Sequence, residues 1–137
     1  MKLRSILPVV LASVLLSSCD YEGATDSGIS YGIPGSWSML ADDNHGTQQY
    51  SYVFRNDGSY TYDETPWSSN STYDFSEKGT WAVSGSTLRL YPTYCYEDYG
   101  SGWTTTSCNT SLTYSYDVGR YYLDLTSSSG TTSWSRD

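Results

Sequence analysis

From Gly35 to the end, apolar positions recur every second residue, and no segment holds the three-to-four spacing of a helix. Tyr50, Tyr52 and Phe54 alternate with Ser51, Val53 and Arg55. Asn56-Asp57-Gly58 is a hairpin signal, and beyond it Tyr60 and Tyr62 alternate with Ser59, Thr61 and Asp63. After a polar loop over 66–70, Tyr73 and Phe75 open another strand, and Trp81 and Val83 share a face on the one that follows. Ser84-Gly85-Ser86 turns the chain into Leu88 and Leu90, opposite Arg89 and Tyr91. Leu112, Tyr114 and Tyr116 come next, then a turn at Val118-Gly119-Arg120. Tyr121, Leu123 and Leu125 face one way, and a closing strand runs over 131–136. Eight or nine short antiparallel strands at this spacing predict an all-β domain, either a sandwich or an up-and-down barrel. Hairpin follows hairpin with no long crossover, and closure removes exposed edges, so the small barrel of about eight strands is favoured.

Composition changes what such a core is made of. Leu, Ile, Val and Phe number 22 of 137 residues, a fraction that ordinarily signals disorder. The chain has 15 Tyr and 5 Trp, all after residue 20. Rings that each bury about 150–250 Å² build a core from few residues. The predicted core, or ligand-lining set, is Trp37, Tyr50, Tyr52, Phe54, Tyr60, Tyr62, Trp81, Leu88, Leu90, Tyr114, Tyr116, Tyr121, Leu123 and Trp134. The length fits one domain.

The first residues read as an address. Lys2 and Arg4 precede an apolar run from Ile6 to Leu16, too short to span a bilayer, which takes about 20 residues. Leu16-Ser17-Ser18-Cys19 resembles the lipobox of bacterial lipoproteins. That resemblance implies a signal peptide over 1–18, cleavage before Cys19 and acylation of Cys19. Two or three acyl chains give firm membrane attachment. Residues 19–34, rich in Gly, Ser and acids, read as a flexible tether, and 35–137 as the domain. The expected location is therefore the cell envelope, lipid-anchored, with the domain in the periplasm or at the cell surface. The outer membrane is weakly favoured, while Asp20 resembles an inner-membrane retention signal. Removing 1–18 leaves five basic residues against 15 acidic ones, which argues against nucleic acid as a partner. With Cys19 lipidated, Cys95 and Cys108 remain as a pair. Export places them in an oxidising compartment, where a cross-strand disulfide is expected.

Further residues resemble a family. Gly35-Ser36-Trp37 looks like the G-x-W start of lipocalins and their bacterial lipocalin-like relatives. Phe54 to Tyr60 and Gly79 to Leu88 match two further hairpin motifs, and Trp134-Ser135-Arg136 resembles the closing strand. The resemblance implies a closed antiparallel barrel, often with an apolar cavity, in which Arg136 packs over Trp37 at the closed end. The chain departs from the pattern in being short and Tyr-rich.

Candidate chemistry is sparse. His45 is the sole His, in a turn among Asp42, Asp43 and Asn44, and is expected to be solvated. No twelve-residue calcium loop or zinc motif occurs, so no metal, cofactor or catalytic residue is expected. Asp63-Glu64 and Glu97-Asp98 are adjacent acids, which an extended chain points to opposite faces. The expected function is binding of a small apolar or amphipathic molecule in a Tyr-lined interior. The alternatives are an envelope interaction protein, such as a periplasmic protease inhibitor, and a carbohydrate- or partner-binding surface built on Tyr96, Tyr99 and Trp103.

Overall fold

A computed structural model describes residues 25–26, 29–30, 32–68 and 72–137. The signal peptide, Cys19 and most of the tether lie outside the described residues. A two-residue ladder, β1 (Thr25–Asp26) with β2 (Ile29–Ser30), precedes the domain. The domain comprises β3 (Gly35–Asp43), β4 (Gly46–Phe54), β5 (Ser59–Pro66), β6 (Asp74–Ser84) and β7 (Thr87–Asp98), followed by β8 (Thr104–Thr106), β9 (Leu112–Val118), β10 (Tyr122–Ser127) and β11 (Gly130–Arg136).

Eight of these strands close an antiparallel up-and-down barrel. Their order around it is β6-β5-β4-β3-β11-β10-β9-β7, and β7 pairs back onto β6. The short β8 is an excursion, paired to the far half of β7 over Cys95–Glu97, whereas β9 pairs with the near half over Thr87–Leu90. Closure puts one face of every strand inside, which is why the period-two pattern is so regular.

Inward residues stack in levels set by the register. Trp37 pairs with Tyr52, Tyr52 with Tyr62, and Tyr62 with Glu77. One level nearer the start of β3, Phe54 pairs with Tyr60 and Tyr60 with Gly79. A Cβ at Gly79 would lie 2.2 Å from the Tyr91 carbonyl oxygen and 2.9 Å from the Tyr60 ring. Only a glycine lets the Tyr60 ring and the backbone approach this closely. Beside it, between Lys78 and Gly79, the β6–β7 register shifts, and Thr93 is the extra residue of the bulge. The bulge changes the phase of β7. Leu88 and Leu90 point inward before it, and Cys95 is buried after it.

The end where β3 begins is sealed. Trp37 is fully buried, and its Nε1 donates to the Ile33 carbonyl at 2.8 Å. The Arg136 guanidinium lies 4.0 Å from the Trp37 ring centroid. It donates to the carbonyls of Gly32 (2.9 Å), Pro34 (3.1 Å) and Arg120 (3.0 Å). One side chain thus ties the segment entering β3, the β9–β10 turn and the last strand together. The β3–β11 seam itself has only the pairs Ser38–Ser135 and Trp37–Arg136. The expected contact between Trp37 and Arg136 is present.

Three expectations need correction. Phe75 and Trp81 lie on one continuous strand, β6, and not on successive ones. Tyr121 is 68% exposed and not part of the core. It falls in the turn before β10, and Arg136 reaches the neighbouring Arg120 carbonyl at that level, so its ring turns outward beside the Arg120 guanidinium. The Cys95–Cys108 disulfide is formed with Cα atoms 5.5 Å apart. Cys108, however, sits in the link between β8 and β9 and not on a strand.

Candidate functional site

The opposite end of the barrel is open. Here the interior widens into a cavity of about 400 Å³, walled by Met39, Tyr50, Leu125, Thr132 and Trp134 among others. A second cavity of about 290 Å³ is walled by Glu64, Tyr73, Phe75, Glu77, Asn109 and Leu112. Tyr52, Tyr62 and Tyr114 line both, so the two spaces meet across three tyrosines. Tyr52, buried to 4% exposure, packs against Tyr62 (centroids 4.7 Å apart) and Trp134 (4.8 Å).

Of the predicted set, Trp37, Tyr52, Phe54, Tyr60, Trp81, Leu88, Leu90, Leu123 and Trp134 are buried. Phe54, Trp81, Leu88 and Leu123 fill the barrel toward the sealed end. Tyr50, Tyr62, Tyr114 and Tyr116 are half-buried. Among them, Tyr50, Tyr62 and Tyr114 carry the cavity wall.

Two carboxylates in this wall were not among the predicted residues. Glu77 is 4% exposed, and its Oε1 accepts the Tyr60 hydroxyl at 2.5 Å. Its Oε2 lies 3.8 Å from Cys95 Sγ, a disulfide sulfur with no proton to donate. Glu64 accepts the Tyr62 hydroxyl at 2.7 Å. Burial raises both carboxyls above their usual range, and the tyrosine hydrogen bonds offset only part of this. Burial likewise raises the Tyr52, Tyr60 and Tyr62 hydroxyls, which stay protonated as donors. An alternation that continues from Phe75 through residues 77 and 79 to Trp81 would have placed Glu77 inside.

Three separate connections meet at the rim. His45, in the β3–β4 turn, stacks on Tyr73 with centroids 4.1 Å apart, and Tyr99 packs against Tyr73 at 5.0 Å. His45 is therefore half-covered by rings and not solvated as expected. Asp43 accepts the Tyr50 hydroxyl and the His45 amide, both at 2.7 Å. These bonds and the imidazole outweigh partial burial and lower its carboxyl. Asp42 accepts the Thr47 hydroxyl at 2.7 Å, so both acids of the turn are engaged within the protein. Among the described residues, no three His, Cys, Asp or Glu side chains converge as a metal site.

The raised carboxyls give stability a definite pH dependence. Glu64, Glu77 and, more exposed, Asp74 hold a proton more tightly folded than unfolded. Their contribution is fully present below the unfolded value of about 4.3 and is lost as pH rises through the folded values. Asp43 and Asp57, both lowered, act in the opposite sense and lose their contribution in stronger acid. Urea denaturation should show the empty protein losing stability between pH of about 4.5 and neutrality. Glu77→Gln should flatten that loss; an unchanged slope would mean that Glu77 is not the buried group responsible.

No protein-family model matches the chain, and no curated protein matches it.

Proposed function

We propose that this protein is a lipid-anchored envelope lipoprotein whose lipocalin-like barrel holds a small amphipathic molecule in its open end. The observation that carries the reading is the contrast between the ends. Trp37 and Arg136 seal one, while the other leaves two cavities meeting at Tyr52, Tyr62 and Tyr114. The larger cavity, mostly apolar with a few placed polar groups, has the size of a small-molecule site, and the smaller one beside it supplies the more polar wall. The polar groups in the smaller cavity include Glu64 and Glu77, each accepting one tyrosine hydroxyl, and the proposed role is binding without catalysis. The neutral fluorophore N-phenyl-1-naphthylamine should bind saturably, one per chain, with enhanced emission. Ala41→Phe, which fills the larger cavity, should abolish the signal; an unaffected signal would place the dye on the outer surface. The anchor is tested by intact mass. Acyl mass on Cys19 supports it, and a free thiol at Cys19 in the mature chain overturns it.

A second reading is supported by exposed rings on the connections at the same end. Trp67 follows β5, and Tyr99 and Trp103 precede β8; all three are more than half exposed. They offer a stacking surface for a sugar or a protein partner.

A further inference from the structure

Resting on the open end as a binding cavity, we infer that its ligand is a protonated primary amine with an apolar, ring-sized body. The ammonium sits between Glu64 and Glu77, and the body lies against Tyr52, Tyr62 and Tyr114. Each glutamate receives a hydrogen bond from a tyrosine; the His45 imidazole acts on Glu64 through space, while no cation is among the groups acting on the Glu77 carboxyl. Among the described residues the one acid–base contact at ion-pair distance is His45 with Asp43, 3.9 Å apart at the rim and charged only when the imidazole is protonated, and no Lys or Arg pairs with either glutamate. Glu77 is 4% exposed and lines the smaller cavity. Its Oε2 faces only the Cys95 sulfur, which has no hydrogen to give. A buried carboxylate with an oxygen left over is costly until a cation or a proton meets it.

The surroundings select among cations. A bare divalent ion wants six or more oxygens, and the described residues offer no cluster of three ligands. An ammonium needs fewer acceptors and is also attracted to the faces of tyrosine rings. Tyr52, Tyr62 and Tyr114 share the wall of the smaller cavity with Glu64 and Glu77, so ring surface adjoins both carboxylates. The oxygens left by Tyr60 and Tyr62 accept N–H bonds, which favours a primary amine over a quaternary one. Asp74 and Asp98 pair across β6 and β7 at the same end, and Asp43 sits on the rim. A mouth of one sign concentrates cations before they enter.

Titration calorimetry of the protein with three indoles of matched shape tests this: tryptamine, neutral tryptophol and anionic indole-3-propionate. Tryptamine should bind more tightly than tryptophol by about tenfold or more, as a charge-assisted hydrogen bond implies, with indole-3-propionate weakest. Glu64→Gln and Glu77→Gln should each remove the preference for tryptamine and leave tryptophol binding in place. Glu64 is half-exposed at the mouth, so its variant remains informative if Glu77→Gln misfolds, and near-UV circular dichroism checks both. Equal binding of tryptamine and tryptophol, or a preference retained in both variants, overturns the amine. Binding of none of the three overturns the cavity reading and the amine with it.

Discussion

Trp37→Ala should lower the unfolding free energy by about 3–5 kcal/mol, the range for removing a large buried ring. Three losses coincide at this site. The side chain is fully buried, so its removal leaves a cavity at the sealed end. The Ile33 carbonyl loses the indole N–H that satisfies it at 2.8 Å. The Arg136 guanidinium loses the ring it covers at 4.0 Å, in a seam between first and last strands that has only two residue pairs. Arg136→Ala should cost less, about 1–2 kcal/mol from the ring contact, with the disulfide intact. Urea denaturation measures both. A Trp37→Ala loss below about 1 kcal/mol, the surface-like range, would mean the seam is held elsewhere.

The second large effect concerns the Cys95–Cys108 bridge. It spans 13 residues and joins β7 to the link between β8 and β9. β7 pairs with β9 over Thr87–Leu90 and with β8 over Cys95–Glu97, so the bridge sits where one partner gives way to the other. Asn109 and Leu112, beside Cys108, form part of the smaller cavity wall. The double variant Cys95→Ala/Cys108→Ala should lose about 3 kcal/mol, the chain-entropy value for a loop of this length. Thermal unfolding should drop correspondingly, and reductant should reproduce the drop in the wild type. An unchanged midpoint would show that the strands hold the link without the bridge.

The barrel is legible because closure gives every strand one inner face, and the sequence writes that face as alternating rings. The open-end chemistry was harder to read for reasons that sit in particular residues. Gly79 has no side chain and Glu77 is polar, so the inward row Phe75, Glu77, Gly79, Trp81 does not look like one strand. At Thr93 a bulge changes the phase of β7, which no local pattern announces. Alternation puts Tyr121 with Leu123 and Leu125, but the turn runs through Tyr121 and β10 begins only at Tyr122. The stack of His45, Tyr73 and Tyr99 joins three connections distant in sequence, and only the closed fold brings them together. The Trp37–Arg136 contact was accessible because first and last strands of a meander barrel must meet.

On this proposal the open end, and not the outer aromatic surface, takes up the ligand. Residue-resolved NMR during titration with tryptamine tests it most directly. Saturable shifts are expected at Tyr52, Tyr62, Tyr114, Glu64 and Glu77, with Trp37 and Arg136 at the sealed end unmoved. Shifts confined to the exposed Trp67, Tyr99 and Trp103, with the cavity tyrosines silent, would contradict it.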